Sequence, residues 1–236
     1  MAYDPVTDEI LVPANHAYAI LTFRGDANGY AAPVRKINGA KTQILNPSAV
    51  SIDATHGEIF VPQNRRVLVF AREADGDVAP IRILEGPDTG LGNGGDMRIT
   101  VDPIRNLMAV SGNGAIRIFD RMAAGNTKPL RTLTDHGARF ARLLTNNPAN
   151  GMIFAAVRAG QNEGESIEGR FGLDDYVGVW SFLDDGDVPA RFTIGGPNLL
   201  LKDARGITID AKNKNVMVSD KTLNSVFTFH VPEAFQ

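Results

Sequence analysis

The sequence contains no cysteine, and this absence excludes disulfides and thiolate metal sites. It also has no block of basic residues, and a formal net charge of −3 gives no sign of a nucleic-acid footprint. No apolar run approaches the length of a membrane span. The opening segment, MAYDPVTDEILV, lacks the basic and apolar regions of a signal peptide. We therefore expect a soluble protein without a nucleic-acid partner. An extracellular or periplasmic location would require a signal upstream of this chain.

Helical periodicity is missing as well, because no long segment repeats its apolar residues every 3.6 positions. The chain instead contains three similar copies of one motif and a fourth, less similar copy. The copies are GYAAPVRKI at 29–37, GDVAPIRIL at 76–84, GNTKPLRTL at 125–133 and GDVPARFTI at 186–194. Their arginines are Arg35, Arg82, Arg131 and Arg191, with spacings of 47, 49 and 60 residues. We expect each arginine to lie along its repeat and tether a neighbouring loop, rather than to join a basic ring.

Each repeat contains short runs rich in Val, Ile and Phe, separated by Gly, Asp, Asn and Pro, which is typical of strands and turns. In the second repeat the runs are AVSID, EIFVPQ, RVLVFAR and PIRILEG. Four strands within about 45–50 residues predict an antiparallel meander, which is the blade of a β-propeller. We predict an all-β propeller of five four-stranded blades, in one domain over 1–236. The repeats run approximately over 1–47, 48–97, 98–142, 143–205 and 206–236.

Landmark residues make this alignment testable. We expect Asp53, Asp102 and Asp210 to end the innermost strands of their blades. We expect Phe70, Phe119 and Phe229 to be buried between blades.

The fifth repeat is one strand short. It supplies GITID, NVMVSD and SVFTFHV and then ends, so its outer strand is missing. The alternative interpretation is a fragment of a six-bladed propeller. The missing strand could lie upstream of Met1, could be supplied by another molecule, or could be absent from a ring closed by three strands. An uncovered strand edge invites pairing, so a homo-oligomer formed through this blade is one expected outcome.

Two segments carry a resemblance to known propellers. RGITIDAKNKNVMVSDKTLNSVFTF resembles an NHL-type repeat, with a Gly-Ile-x-Ile-Asp inner strand and a Val-x-Val-Ser-Asp second strand. EIFVPQNRRVLVFAREADGDVAPIRILEGPDTGL resembles a blade of bacterial NHL-like and gluconolactonase-like propellers. The resemblance covers essentially the whole chain and implies the architecture. It does not decide the activity, because this scaffold carries enzymes as well as binding proteins.

The loops that precede the innermost strands and follow the second strands of a propeller share one face, where ligands reach the channel. Arg142 and Arg205 lie at the same level of consecutive repeats and could together bind a carboxylate or phosphate. Pairing with a nearby carboxylate such as Asp203 is the structural alternative. The acidic insertion at 159–175 is either a rim of this face or a solvated loop. The predicted ligand-binding residues are Arg142, Arg205, Asp96, Asp203, Asn64, Arg65 and His16.

The gluconolactonase-like resemblance implies a second hypothesis, a metal-dependent hydrolase or lactonase with an ion such as Ca²⁺ held by oxygen ligands at the channel mouth. The early glutamate ligand of that family has no clear counterpart, because Glu9 and Glu58 open second strands at the opposite face. The candidate metal ligands are Asn46, Asp96, Asp203 and Asp220.

The sequence therefore favours a non-catalytic protein that binds a small molecule or a protein at the channel mouth. This interpretation includes no catalytic residue and no cofactor. A structural subunit that assembles through the incomplete blade is the third hypothesis.

Overall fold

A computed structural model describes residues 1–92, 97–134, 139–158, 176–195, 199 and 201–236, apart from the side chains of 139–142 and 158. The strands of these residues are β1 (Ala2–Asp4), β2 (Glu9–Ala14), β3 (Ala19–Arg24), β4 (Arg35–Ile37), β5 (Ser51–Asp53), β6 (Glu58–Gln63), β7 (Arg66–Ala71), β8 (Arg82–Glu85), β9 (Arg98–Asp102), β10 (Leu107–Gly112), β11 (Ala115–Asp120), β12 (Arg131–Thr134), β13 (Arg139–Asn147), β14 (Met152–Arg158), β15 (Tyr176–Ser181), β16 (Gly186–Asp187), β17 (Phe192–Ile194), β18 (Ala204–Asp210), β19 (Asn215–Asp220) and β20 (Ser225–His230). Short 3-10 turns are Asn15–Ala17, Ala40–Thr42, Pro87–Thr89 and Pro232–Phe235. Within the described residues, no helix has the length and hydropathy that a membrane span requires.

The strands form five successive sheets. The first four sheets have the orders β1-β2-β3-β4, β5-β6-β7-β8, β9-β10-β11-β12-β16 and β13-β14-β15-β17, and the fifth is β18-β19-β20. The short strand β16 comes from the fourth repeat and adds to the four strands of the third. The predicted fold class is confirmed: the described residues form an all-β propeller of five blades, of which the last has three strands. Asp53, Asp102 and Asp210 end β5, β9 and β18 as predicted.

The chain divides into two compact units, residues 1–110 with 119–129 and residues 111–118 with 130–236. In the first unit, Phe70 packs with Leu11 and Ile37, while Phe119 belongs to a second cluster with Phe60. Both phenylalanines are fully buried, as predicted, and burying such a side chain stabilises the fold by roughly 1.5–3 kcal/mol.

The core of the second unit combines side chains of the fourth and fifth sheets. Phe154, Val179 and Val218 are buried in one cluster, and Phe229 packs against this cluster. Phe229 is only partly buried, so the burial predicted for it is incomplete. Its strand, β20, is the outermost strand of the fifth sheet and has one sheet neighbour among the described residues.

The motif that opens the outer strands also ties neighbouring sheets together. The N–H of Gly76 donates to the Lys36 carbonyl (2.9 Å), and the Gly76 carbonyl accepts from Asn38 N–H (3.1 Å). Gly125 makes the same parallel bridge to β8, opposite Leu84. In the second unit, β16 pairs in parallel with β12. The outer strands β4, β8 and β12 are thus each held by the loop of the following repeat, and we refer to this arrangement as the inter-sheet clamp.

The residues after Gly76 and Gly125 each accept a further hydrogen bond from the preceding repeat. Asp77 Oδ1 accepts the N–H of Lys41 (2.7 Å), and Asn126 Oδ1 accepts the N–H of Asp88 (2.8 Å). Gly39, at a φ of 134°, lets the backbone pass close to Asp77, because a Cβ at this position would lie 2.4 Å from the Asp77 carboxyl carbon. The repeated Gly-Asp or Gly-Asn sequence is therefore a contact between repeats as well as a turn.

Two of the recurring arginines, Arg35 and Arg82, each bind a glutamate. Arg35 Nη1 and Nη2 lie 2.8 and 2.7 Å from the two carboxylate oxygens of Glu9. Arg82 binds Glu58 in the same two-pronged way, at 2.6 and 2.8 Å. Glu9 and Glu58 open β2 and β6, so each arginine joins the outer strand of a sheet to the second strand of the same sheet.

Candidate functional site

The candidate site lies at the end of the fifth sheet where β18 begins and β19 ends. Ala204 of β18 pairs with Asp220 of β19, which places Arg205 and Asp220 at the same end of the sheet. Asp203 directly precedes β18 and belongs to the same group. The structure therefore brings together three of the residues selected from the sequence.

Asp220 anchors the loop that leads into β18. Its Oδ2 accepts the N–H groups of Lys202 (2.6 Å) and Asp203 (2.8 Å), and its Oδ1 accepts the N–H of Leu223 (2.9 Å). Burial of this carboxylate raises its pKa, but the backbone N–H donors outweigh burial, and the pKa of Asp220 lies below its ordinary value. Because these bonds occupy both carboxylate oxygens, Asp220 positions the loop.

Arg205 donates from Nε (3.1 Å) and Nη2 (2.9 Å) to Oδ2 of Asp203. This is the pairing that the sequence analysis gave as the structural alternative. The Arg205 side chain nevertheless remains 44% exposed, and a pair of this kind contributes at most about 1 kcal/mol. An incoming anion can therefore approach this guanidinium at small cost.

Arg142 and Arg205 both lie at irregularities in their strands. The register of β13 with β14 shifts between Phe140 and Leu144, and the register of β18 with β19 shifts between Ala204 and Gly206. Such bulges change the direction of a side chain and are common beside functional sites. Gly206 permits the close approach after the second bulge, because a Cβ there would lie 2.7 Å from Ser219 Oγ.

The two irregular strand segments lie side by side within the second unit. Leu143, which follows Arg142, packs with Ala156 and with the partly buried Ala204 and Ile207. The backbones of Arg142 and Arg205 are therefore close neighbours. The Arg142 side chain lies outside the described part of the structure.

The other predicted ligand-binding residues that the structure describes belong to the first unit. Asn64 and Arg65 form the exposed two-residue turn between β6 and β7, with Arg65 in the left-handed region at a φ of 61°. His16 is exposed in the 3-10 turn after β2. Each follows the second strand of its sheet, as the sequence indicated. Asp96 and the insertion at 159–175 lie outside the described residues.

A buried glutamine performs the role of Asp220 in the second sheet, and sequence reasoning missed it. Gln63 Oε1 accepts the N–H of Leu45 (2.8 Å) and of Asn46 (3.3 Å), and its Nε2 donates to the Gln43 carbonyl (2.6 Å). Gln63 ends β6 as Asp220 ends β19, so alignment of the last residue of each second strand could have identified both. Asn46, a candidate metal ligand, belongs to the loop that Gln63 holds.

The candidate metal ligands do not form a cluster in the part of the chain that the structure describes. There, no group of three or more His, Asp or Glu side chains is arranged to hold a metal ion. Asp203 binds Arg205, and Asp220 binds backbone N–H groups.

Comparison with known proteins identifies the fold without a family. No protein-family model matches the chain, and no curated protein sequence matches it. Among solved structures, hydrazine synthase from Kuenenia stuttgartiensis is similar, with a TM-score of 0.61 and 13% sequence identity. The match covers 92% of this chain and 53% of that chain, so the present chain spans about half the length of its neighbour. The similarity concerns the propeller-type fold alone, and the NHL-like and gluconolactonase-like family assignment stays a prediction.

Proposed function

We propose that this protein is a non-catalytic, anion-binding propeller. Its ligand carries a carboxylate or phosphate and binds where β13 and β18 begin. The observation that carries the proposal is the occurrence of Arg142 and Arg205 in neighbouring strand irregularities. The ligand can be a small molecule or an acidic group on a protein.

Arginine suits this role because its planar guanidinium can form two parallel hydrogen bonds with a carboxylate or phosphate. Arg205 uses two of its five N–H donors on Asp203, which leaves further donors for a ligand. Asp203 would hold the guanidinium in place before binding. Asp220 supports it by fixing the backbone of the loop.

The insertion at 159–175 is proposed as the rim of the same site. It connects β14 to β15, and Arg158 at the end of β14 pairs with Arg139 at the start of β13. The connection thus leaves the fourth sheet at the end that carries Arg142. Its acidic residues would repel an anionic ligand unless that ligand also carried a positively charged group.

The metal-dependent hydrolase has weaker support. Its candidate ligands Asp203 and Asp220 already bind an arginine and backbone N–H groups, so ion binding would have to displace these contacts. A non-catalytic role requires no such displacement.

The proposal can be tested with inorganic phosphate and succinate as probes, using isothermal titration calorimetry. The Arg142→Ala and Arg205→Ala variants should each bind the preferred anion at least about tenfold more weakly than the parent protein. The matched control is Arg191→Ala, which removes another half-exposed arginine of the second unit that is paired with an aspartate, Asp184. Equal affinity in all four proteins, or no binding of either anion at millimolar concentration, would contradict the proposed function.

A further inference from the structure

Arg117, on β11, is a half-buried arginine that pairs with no carboxylate in the described part of the structure. Its Nη1 donates to the carbonyl of Gly112 (2.8 Å), which is a neutral acceptor. Five other arginines that are mostly buried each pair with an aspartate or a glutamate, namely Arg35, Arg72, Arg82, Arg105 and Arg121. The charge of Arg117 thus lacks the counterion that these arginines have. Burial lowers the pKa of its guanidinium below the ordinary value.

The propeller blade does not itself require an arginine at this position. Arg117 pairs with Thr132, the second residue of the outer strand β12. In the first, second and fourth sheets, the residues at the equivalent pairing position are Leu21, Leu68 and Gly178. Leu68 is fully buried, so an apolar side chain fits this place in a blade. A half-buried charge without a counterion costs stability, and such exceptions to the packing rules are expected at functional sites.

The guanidinium of Arg117 lies at an end of the third sheet that a ligand can reach. Gly112 ends β10, as Asp220 ends β19, so the contact with the Gly112 carbonyl places the guanidinium at the corresponding end of its sheet. The turn that follows, Asn113–Gly114, is exposed. A Cβ on Gly114 would meet no atom within 4 Å in the described structure. The space beside this turn is therefore open.

One edge of the Arg117 guanidinium is unused. Nη1 binds Gly112, whereas Nε and Nη2 have no hydrogen-bond partner among the described residues. The N–H groups of this edge are parallel and match the two oxygens of a carboxylate. The structural alternative is that the stem of Arg117 covers apolar surface while its head group stays in water. This alternative requires no ligand, and it predicts that an unbranched apolar side chain could replace the arginine without loss of any binding.

We propose that Arg117 anchors a second anion site, at the β10–β11 turn, which binds a planar carboxylate through Nε and Nη2. The site lies in the third sheet and goes beyond the function proposed for Arg142 and Arg205. A carboxylate fits because a single guanidinium edge offers two donors and one positive charge. The bound carboxylate supplies the missing counterion, so binding also stabilises the folded protein.

The test uses benzoate as the probe and benzamide, which has a similar shape without the charge, as the control ligand. Isothermal titration calorimetry should show saturable binding of benzoate to the full chain at millimolar concentration and no binding of benzamide. Arg117→Met should weaken benzoate binding by about tenfold or more. Arg117→Lys should weaken it as well, because an ammonium group keeps the charge but lacks the planar pair of donors.

Thermal unfolding without ligand distinguishes a ligand-binding residue from a structural one. Arg117→Met keeps an unbranched side chain for packing and removes a charge that lacks a counterion, so its melting temperature should equal or exceed that of the parent. The matched control is Arg105→Met, because Arg105 pairs with the fully buried Asp102 at 2.9 Å. This control should lower the melting temperature, since it leaves a buried carboxylate without its partner. It should bind benzoate as the parent does.

Four results would overturn the proposal. They are the absence of saturable benzoate binding, equal binding of benzoate and benzamide, equal benzoate affinity in the parent and Arg117→Met, and a melting temperature that falls as far in Arg117→Met as in Arg105→Met. Arg205→Ala should retain benzoate binding. Loss of benzoate binding in Arg205→Ala but not in Arg117→Met would support the function proposed for Arg205 and reject the site at Arg117, so the two proposals can fail separately.

Discussion

Arg121, which follows the third strand of the third sheet, reaches back to the second sheet and binds Glu58, which is already held by Arg82. Arg121 Nε also lies 3.4 Å from Asp53. The first sheet shows the same relationship, in which Arg72 Nε lies 2.7 Å from Asp4 Oδ2 beside the Glu9–Arg35 pair. These contacts form two ionic clusters, one on each side of the second sheet. Each links a sheet to the next one.

Glu58→Gln should destabilise the protein by about 3 kcal/mol, because it leaves the largely buried Arg82 guanidinium without its charged partner and removes one of the two carboxylates beside Arg121. The midpoint of urea denaturation measures this loss. Asp26→Asn is the control: Asp26 pairs with Arg24 at the surface, where both side chains are 70% exposed, and it should leave the midpoint unchanged. A Glu58→Gln midpoint equal to that of the parent would show that the cluster contributes nothing to stability.

The same clusters should make stability fall in acid. Arg35 lowers the pKa of Glu9, and for Glu58 the two arginines outweigh burial, which acts to raise the pKa, so both pKa values lie below the ordinary range. A depressed folded-state pKa adds stability above the ordinary glutamate pKa of about 4.3, and this stability is lost as the pH falls through the folded-state value. The melting temperature should therefore decrease as the pH falls below about 5. It should decrease less steeply in the Glu58→Gln variant. Parallel pH profiles for the two proteins would contradict this assignment.

Gly39→Ala should cost more stability than Gly114→Ala. Both glycines have positive φ, at 134° and 67°, so alanine introduces backbone strain at each, of about 1 kcal/mol or more. Only at Gly39 would the new methyl group also displace Asp77, which holds the Lys41 N–H. Thermal unfolding measures the cost of backbone strain alone in Gly114→Ala. In Gly39→Ala it measures that strain together with loss of the hydrogen bond between Asp77 and the Lys41 N–H. A larger loss for Gly114→Ala would exclude the clamp as a source of stability.

The role of Asp220 distinguishes a structural carboxylate from a metal ligand. If Asp220 acts through backbone N–H groups, EDTA should leave the melting temperature of the parent protein unchanged. Asp220→Asn should lower stability by about 1–3 kcal/mol, because an amide cannot accept the same set of hydrogen bonds. A melting temperature that falls with EDTA and recovers with Ca²⁺ would instead support the metal-dependent hydrolase.

The blade pattern could be predicted from sequence because strands and turns are local. The Val- and Ile-rich runs around Asp53 and the Gly-Asp turn at Gly76 carry their signals within a few residues. The partners of these residues were not predictable in the same way. Asp77 caps an N–H some 36 residues earlier in the chain, and Arg121 reaches back 63 residues to Glu58. Nothing within a single repeat identifies such contacts.

The sequence could predict where the candidate site lies but not which contacts its residues make. Repeat spacing indicated that Arg205 and Asp220 would share one end of a sheet, and their strands do so. Their roles depend on which backbone N–H groups face each carboxylate, and this is a property of loop geometry. The strand irregularity at Arg205 likewise depends on the close approach of Gly206 to Ser219, which a one-dimensional pattern does not encode.

The inter-sheet clamp runs in one direction along the chain, because the holding loop belongs to the later repeat at each of β4, β8 and β12. On the ribosome, β4 can pair with β3 as soon as it emerges, but it lacks its second attachment until Gly76, about 40 residues later, has been made. β4, β8 and β12 therefore each complete their bonding roughly one repeat behind the growing end of the polypeptide. During synthesis, the most recently formed of these outer strands would lack its hydrogen bonds to the next repeat. A pause of the ribosome within that next repeat would prolong this state.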